Sequence, residues 1–322
     1  MTNDNSLNFY SIFKWVIIIS FVVYAVFPFL WLVLASLKTN AELLDNPFKL
    51  PKVFQFQNYS NAIQEAGLIQ LIINSLVIST CATFLNILFA SMCAFAIARH
   101  IFWWKNVLFL MITAGILVPL NALIIPYYAI INFLNLYDTR FGLILVYCAV
   151  GLPVSTFILT EFFKGIPKEI EEASYLDGCN FVARYFRIML PLALPGLATA
   201  GTFQFILCWN EFIYAMLLTS STEIRTIQFG ISYFTNEFFS DYVGMFAAVV
   251  VSILPSITVF ILFQERVITG LTAGSAKGQI FFETSKYYKD YLPRYWKTLG
   301  LLWSKIYQFK CYRYTSQKWY FI

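Results

Sequence analysis

Apolar residues run along this chain in six long blocks, at about 15–35, 70–98, 107–131, 141–163, 192–219 and 243–263. Short stretches rich in charge, proline and glycine separate them. A membrane-spanning helix needs about 20 mostly apolar residues, and each block is long enough. The pattern predicts an all-α integral membrane protein with six transmembrane helices. Helices are expected because a bilayer offers no water to backbone amides, which must then be satisfied within their own segment. The first block is too long for the apolar core of a signal peptide and no small-residue cleavage site follows it, so it reads as a retained span. Prolines inside the blocks (Pro28, Pro119, Pro126, Pro153, Pro195 and Pro255) are expected to kink helices that their neighbours then support.

Composition agrees. Only 12% of the 322 residues are charged, against 59% hydrophobic, and the mean hydropathy is +0.68. A soluble domain averages about 25% charged residues, so lipid is expected to cover most of this surface. The net charge of +5 is too small to argue for nucleic acid. Lys and Arg are unevenly placed. Up to Lys277, nine fall in the N-terminus, the second and fourth connections and the segment after the last block; five fall in the other connections. That bias puts both termini on the cytoplasmic side.

Chemistry of the chain's own is not expected. The six cysteines show no C-x2-C spacing and there is one histidine, His100, so metal ligation has little support. His100, beside Arg99 in a basic turn, reads as a solvated interface residue. No phosphate-binding G-x4-G-K-[ST] loop, nucleophile elbow or H-E-x-x-H motif is present. Neither catalytic residues nor ATP binding are expected on this chain.

The stretch at about 164–191 is charged and must lie outside the bilayer. Gly165-Ile166-Pro167 ends the fourth block and can start a short helix, since proline suits the first helical turn. Glu169, Glu171 and Glu172 then lie near its positive end. Gly178 permits a bend, and a second short helix from about Asn180 to Met189 places Phe181, Tyr185 and Ile188 on one stripe. Small residues on one side and apolar ones on the other suit insertion into a groove on a partner.

Within this stretch stand Glu172-Ala173-Ser174, three residues, Gly178, nine residues, Ile188, one residue and Leu190-Pro191. The spacing resembles the E-A-A-x3-G-x9-I-x-L-P loop of bacterial binding-protein-dependent ABC importer permeases, with Ser174 in place of the usual second alanine. The resemblance covers about residues 12–278. Asp177-Gly178, Trp209-Asn210-Glu211-Phe212, Ile125-Pro126-Tyr127-Tyr128, Leu134 to Thr139 and Gly270 to Gly278 resemble the smaller permease of the carbohydrate (maltose or glycerol 3-phosphate) branch. It implies a type I importer permease fold in the bacterial plasma membrane. It also implies a second permease, two copies of an ABC ATPase carrying ATP and Mg, and an extracytoplasmic solute-binding protein. The loop, with Glu172, Ala173, Ser174, Asp177, Gly178, Ile188, Leu190 and Pro191, would dock into the ATPase. The terminal segment with Thr272, Ala273, Gly274, Lys277 and Gly278 would touch the ATPase pair; alternatively it is a disordered tail. A same-architecture permease for a non-sugar solute, or an ATP-independent carrier, are the competing readings.

Glu211 is the carboxylate that lies well inside a predicted span. Ionisable groups there face a cavity or a partner, so Glu211 with Gln204, Trp209 and Asn210 is a candidate path lining. An interhelical hydrogen bond is the alternative. Tyr127 and Tyr128 could stack on a sugar or serve as interface aromatics. Residues 1–14 read as a cytoplasmic N-terminus, 15–278 as the permease domain and 279–322 as a basic aromatic extension. The extension reads as a surface helix on anionic lipid, an accidental extension or a partner contact.

Overall fold

The computed structural model describes residues 4–65, 67–234 and 241–275. The extension at 279–322, with Lys277 and Gly278, lies outside the described residues. The chain divides into two units, Met1–Gly270 and Leu271–Ile322.

No strand occurs among the described residues. In chain order, α1 (Asp4–Ser36) is followed by two short helices, α2 (Asn40–Asp45) and α3 (Gln57–Glu65). Then come α4 (Leu68–Arg99), α5 (Lys105–Ala114), α6 (Ile124–Phe133) and α7 (Arg140–Gly165). The charged stretch folds as α8 (Lys168–Leu176), α9 (Phe181–Arg184), a π turn at Tyr185–Met189 and α10 (Leu190–Leu192). The chain continues through α11 (Leu194–Asn210), α12 (Ile213–Leu218), α13 (Ile227–Gly230) and α14 (Tyr242–Ser275).

Four of the six predicted blocks are unbroken apolar helices: Ser11–Ser36, Leu68–Arg99, Arg140–Gly165 and Tyr242–Glu265. The third and fifth differ. The third bends by 101° between Lys105–Leu117 and Leu120–Phe133. Pro119 explains the bend, because it has no N–H to donate and it pushes Val118 into an extended conformation (φ −77°, ψ 121°). The fifth, expected as one helix over 192–219, is in two pieces. Glu211 is extended (φ −74°, ψ 130°), so α11 stops at Asn210 and α12 starts at Ile213. The segment before it, Phe181–Leu192, meets α11 at 75°. Each bent pair counted as one span restores six.

The α4–α7 pair is the most extensive helix contact, and α11 packs on both. In lipid, helices gain little by hiding apolar surface from one another, so close packing and polar contacts hold them together. Both are present. Ala82, Ala90 and Ala94 are buried along α4. Asn86 donates from Nδ2 to the Cys148 carbonyl at 2.8 Å, joining α4 to α7. Gln204 donates to the Tyr147 carbonyl at 2.9 Å, joining α11 to α7. Trp209 Nε1 donates to the Ser252 carbonyl at 2.9 Å, which secures α14. Residues 11–30 of α1, by contrast, are exposed on every face, as suits lipid.

At the far end from the charged stretch, Lys38 is buried rather than solvated. Its ammonium donates to the carbonyls of Asn46 (3.2 Å) and Pro47 (2.8 Å), so it fastens the α2–α3 connection to the end of α1. Its weight as a loop charge in the orientation argument is accordingly smaller than that of an exposed lysine.

Gly151 on α7 leaves room for the Gln204 amide; a Cβ there would land on it. Gly151→Ala is therefore expected to destabilise the purified protein by about 1–3 kcal/mol through overpacking. A thermal-unfolding midpoint in detergent checks this, and an unchanged midpoint contradicts it.

Candidate functional site

The charged stretch is a helix–turn–helix knuckle whose turn is closed by its own hydrogen bonds. α8 starts directly after Pro167, with Glu169 and Glu171 in its first turn, where the helix dipole favours negative charge. Its terminal carbonyls are taken by the following amides. Asp177 donates to Ala173 (3.0 Å), Gly178 to Tyr175 (3.0 Å) and Cys179 to Ser174 (3.1 Å). Gly178 sits at φ +75°, the left-handed region that glycine enters without a Cβ clash. Asn180 caps the next helix, its Oδ1 accepting from the Ala183 amide at 2.8 Å.

The knuckle shows its tip to the surroundings. Glu172, Ala173, Asp177 and Gly178 are exposed, and Leu176 is 86% exposed. Tyr175, Phe181, Val182 and Phe186 are exposed beside it. Ser174, which replaces the usual alanine, is buried, and its hydroxyl donates to the Glu171 carbonyl at 2.6 Å. Phe181, Tyr185 and Ile188 share one stripe, and it is turned toward the spans: the rings of Phe181 and Tyr185 both meet Phe95, at 5.4 and 5.3 Å between centroids. At the start of the π turn Tyr185 is buried, and its hydroxyl and that of Ser91 are hydrogen-bonded at 2.7 Å. Ile188 packs half-buried on the same core, Leu190 is half-buried, and Pro191 is exposed at the turn into α11.

Ion pairs join the knuckle to the spans. The Arg99 guanidinium donates to the carbonyls of Phe163 and Ile166 at the end of α7. Its Nε lies 3.7 Å from Glu171 Oε2, and Glu171 Oε1 lies 3.3 Å from Arg184 Nε. A cavity of about 590 Å³ opens beside them, bordered by Lys105, Lys168 and Glu172. His100 is not a solvated residue: its ring packs on Phe181 (4.9 Å between centroids) and edge-on to Phe95 (5.9 Å).

A second polar centre lies where the fifth span breaks. Glu211 accepts from Tyr147 Oη (2.8 Å) and from the backbone amides of Tyr214 (2.9 Å) and Ala215 (3.1 Å). The carboxylate thus caps α12 and ties it to α7. Tyr214 Oη donates to the Leu120 carbonyl at 2.6 Å, and its ring meets Tyr127 edge-on at 5.6 Å. Nearby, Asp138 accepts from the amides of Ser220 (2.8 Å) and Ser221 (3.0 Å) and from the Ser221 hydroxyl. Partial burial pushes the Asp138 carboxyl up, but these hydrogen bonds outweigh it and bring it from 3.8 down to about 2.

The comparisons with known proteins agree with this architecture. The sequence profile of the binding-protein-dependent transport system inner membrane components matches residues 86–272. The chain belongs to that family. It is 36% identical over 258 residues to the sulfoquinovosyl glycerol transport system permease protein of Agrobacterium fabrum, covering 80% of this chain and 90% of that one. It is 34% identical over 270 residues to the trehalose transport system permease protein of Mycobacterium tuberculosis, covering 82% and 97%. Among solved structures, the crystal structure of a bacterial ABC transporter involved in the import of alginate contains a chain with the same fold. The TM-score is 0.72 at 22% identity, covering 82% of this chain and 99% of that one.

Within this family member the sequence-predicted residues divide into two groups. The motif residues Glu172, Ala173, Asp177 and Gly178 come together at the knuckle tip. The candidate path residues do not form one lining. Gln204 and Trp209 are buried, and each bonds to the backbone of a neighbouring helix. Asn210 and Tyr128 are exposed, Tyr127 is half-buried, and Glu211 makes the structural hydrogen bonds that were the alternative reading. Thr272, Ala273 and Gly274 lie on the final turns of α14, and their side chains are outside the described residues. Arg99 and Glu171 were missed. The one signal available was an arginine at the end of an apolar block, with nothing to say which carbonyls it meets.

Two outcomes follow from the polar contacts. Glu211→Ala removes the cap of α12 and one bond to α7, and is expected to destabilise the protein by about 1–2 kcal/mol. An unchanged unfolding midpoint contradicts the capping role. Asp138 is lowered in the folded state, so its contribution is present above its ordinary 3.8 and is lost as pH falls towards about 2. The midpoint gap between the parent and Asp138→Asn is expected to be larger at neutral pH and to close over that interval. A gap constant with pH contradicts the assignment.

Proposed function

We propose that this chain is one membrane subunit of an ATP-driven importer for a carbohydrate or carbohydrate-like solute. A second permease forms the other half of the path. Two copies of an ABC ATPase hold ATP and Mg, and an extracytoplasmic binding protein delivers the solute. The chain binds no cofactor and carries no catalytic residue. The observation that carries the reading is the knuckle. Its outward face of Glu172, Ala173, Leu176 and Gly178 stands at a turn closed by its own hydrogen bonds, so it is preformed for docking. The names of the related permeases, for sulfoquinovosyl glycerol and trehalose, favour a sugar over other solutes.

In this reading the knuckle and both termini are cytoplasmic, at the bacterial plasma membrane, and Thr272, Ala273, Gly274, Lys277 and Gly278 touch the ATPase pair. Residues 15–278 are the permease domain and 279–322 an addition to it. Force from ATP-driven closure enters through α8 and α9 and reaches α11 through the 75° turn at Ala193.

The test is uptake by the purified complex in vesicles. Uptake of labelled oligosaccharide is expected only with ATP and the binding protein. Glu172→Ala with Gly178→Val is expected to lower ATPase recovery by at least about tenfold, the loss of a docking hot spot. Solute flux by this chain alone without ATP contradicts the reading.

A further inference from the structure

We infer that Arg99 and Glu171 are positioning residues of the transport cycle. Together they clamp α8 to the ends of α4 and α7, so that the knuckle and the central helix pair move as one body. The inference rests on the importer reading above and adds to it the side chains that carry movement inward.

The geometry is specific. Arg99 is the last residue of α4, and its planar fork presents five N–H donors. It donates to the carbonyl of Phe163, which the Ile166 amide also meets at 3.3 Å, and to that of Ile166, just past the end of α7. The same guanidinium faces Glu171 in the first turn of α8 at 3.7 Å. One side chain thus joins three helix ends. Glu171 extends the link to α9 through Arg184 at 3.3 Å. The side chains of Arg99, Glu171 and Arg184 are 4%, 17% and 12% exposed, so water screens these charges little.

The backbone alone would not transmit a push. Only Ile166 and Pro167 separate α7 from α8, and both are extended (ψ 131° and 138°), while Gly178 supplies a second pivot at φ +75°. A force applied at Leu176 and Val182 would swing α8 between these two joints. The Arg99–Glu171 pair spans the first joint, and the Glu171–Arg184 pair spans the second. Glu172, the neighbouring motif carboxylate, points outward and stays available to a partner.

The experiment uses the complete complex, recovered in mild detergent and returned to vesicles, with ATP hydrolysis and solute uptake measured on the same sample. Glu171→Gln keeps the size and removes the charge. Arg99→Lys keeps the charge and loses the fork. Each complex is expected to assemble and hydrolyse ATP while solute moved per ATP falls about tenfold, within the usual range of coupling between sites. Unchanged uptake per ATP in both variants overturns the inference. So does a parallel loss of hydrolysis and uptake, or failure of both variants to assemble, because each is what a merely structural pair would give. A parent complex that takes up solute without an ATPase overturns the importer reading itself, and the clamp with it.

Discussion

A carbonyl at the end of a membrane helix has no intrahelical partner and, at the bilayer edge, little water to turn to. At the motif end of this protein Arg99, the last residue of α4, adds a donor to the Phe163 carbonyl of α7 and supplies one to the Ile166 carbonyl just past it. Burying a guanidinium is itself unfavourable unless it is paired and hydrogen-bonded. Glu171 supplies the charge. The knuckle is therefore built into the ends of the spans rather than hung from them. Its outward face is then free to meet a partner, because its inward face already holds it.

The same constraint shapes the other breaks in the helices. Where the fifth span stops at Asn210, the amides of Tyr214 and Ala215 would be left open, and Glu211 takes both. Where the third span bends at Pro119, the Leu120 carbonyl is taken by Tyr214. The fifth span thus closes its own break through Glu211, which Tyr147 of α7 fixes, and also serves the third. In a bilayer such breaks are tolerated only where protein groups replace water. Here they lie close to the α6–α7 connection, which Asp138 pins to the end of α12.

Much of this was legible in the residues. The unbroken spans are long apolar runs, and the knuckle announces itself through Pro167, Gly178 and Asn180, each a local signal with a local effect. The break at Glu211 was not legible, because hydropathy registers how apolar a block is and not where a carboxylate caps a new helix. Gln204 and Trp209 looked like path residues because polar groups in an apolar block suggest function. Their partners are main-chain carbonyls of Tyr147 and Ser252, which no sequence marks. The helical period puts Phe181, Tyr185 and Ile188 on one stripe but does not say which way it turns; Phe95 and Ser91 of α4 decide that. The Arg99–Glu171 pair spans 72 positions and is a product of the fold alone.

The central claim is that the knuckle tip docks into an ATPase. The most direct measurement places a photo-crosslinking side chain at Leu176, the most exposed apolar residue of the tip, in membranes from cells that make the whole system. The account predicts an adduct with an ABC ATPase, identified by mass spectrometry and diminished when Gly178→Val distorts the turn. Adducts with lipid alone, or with no protein of that class, would contradict it.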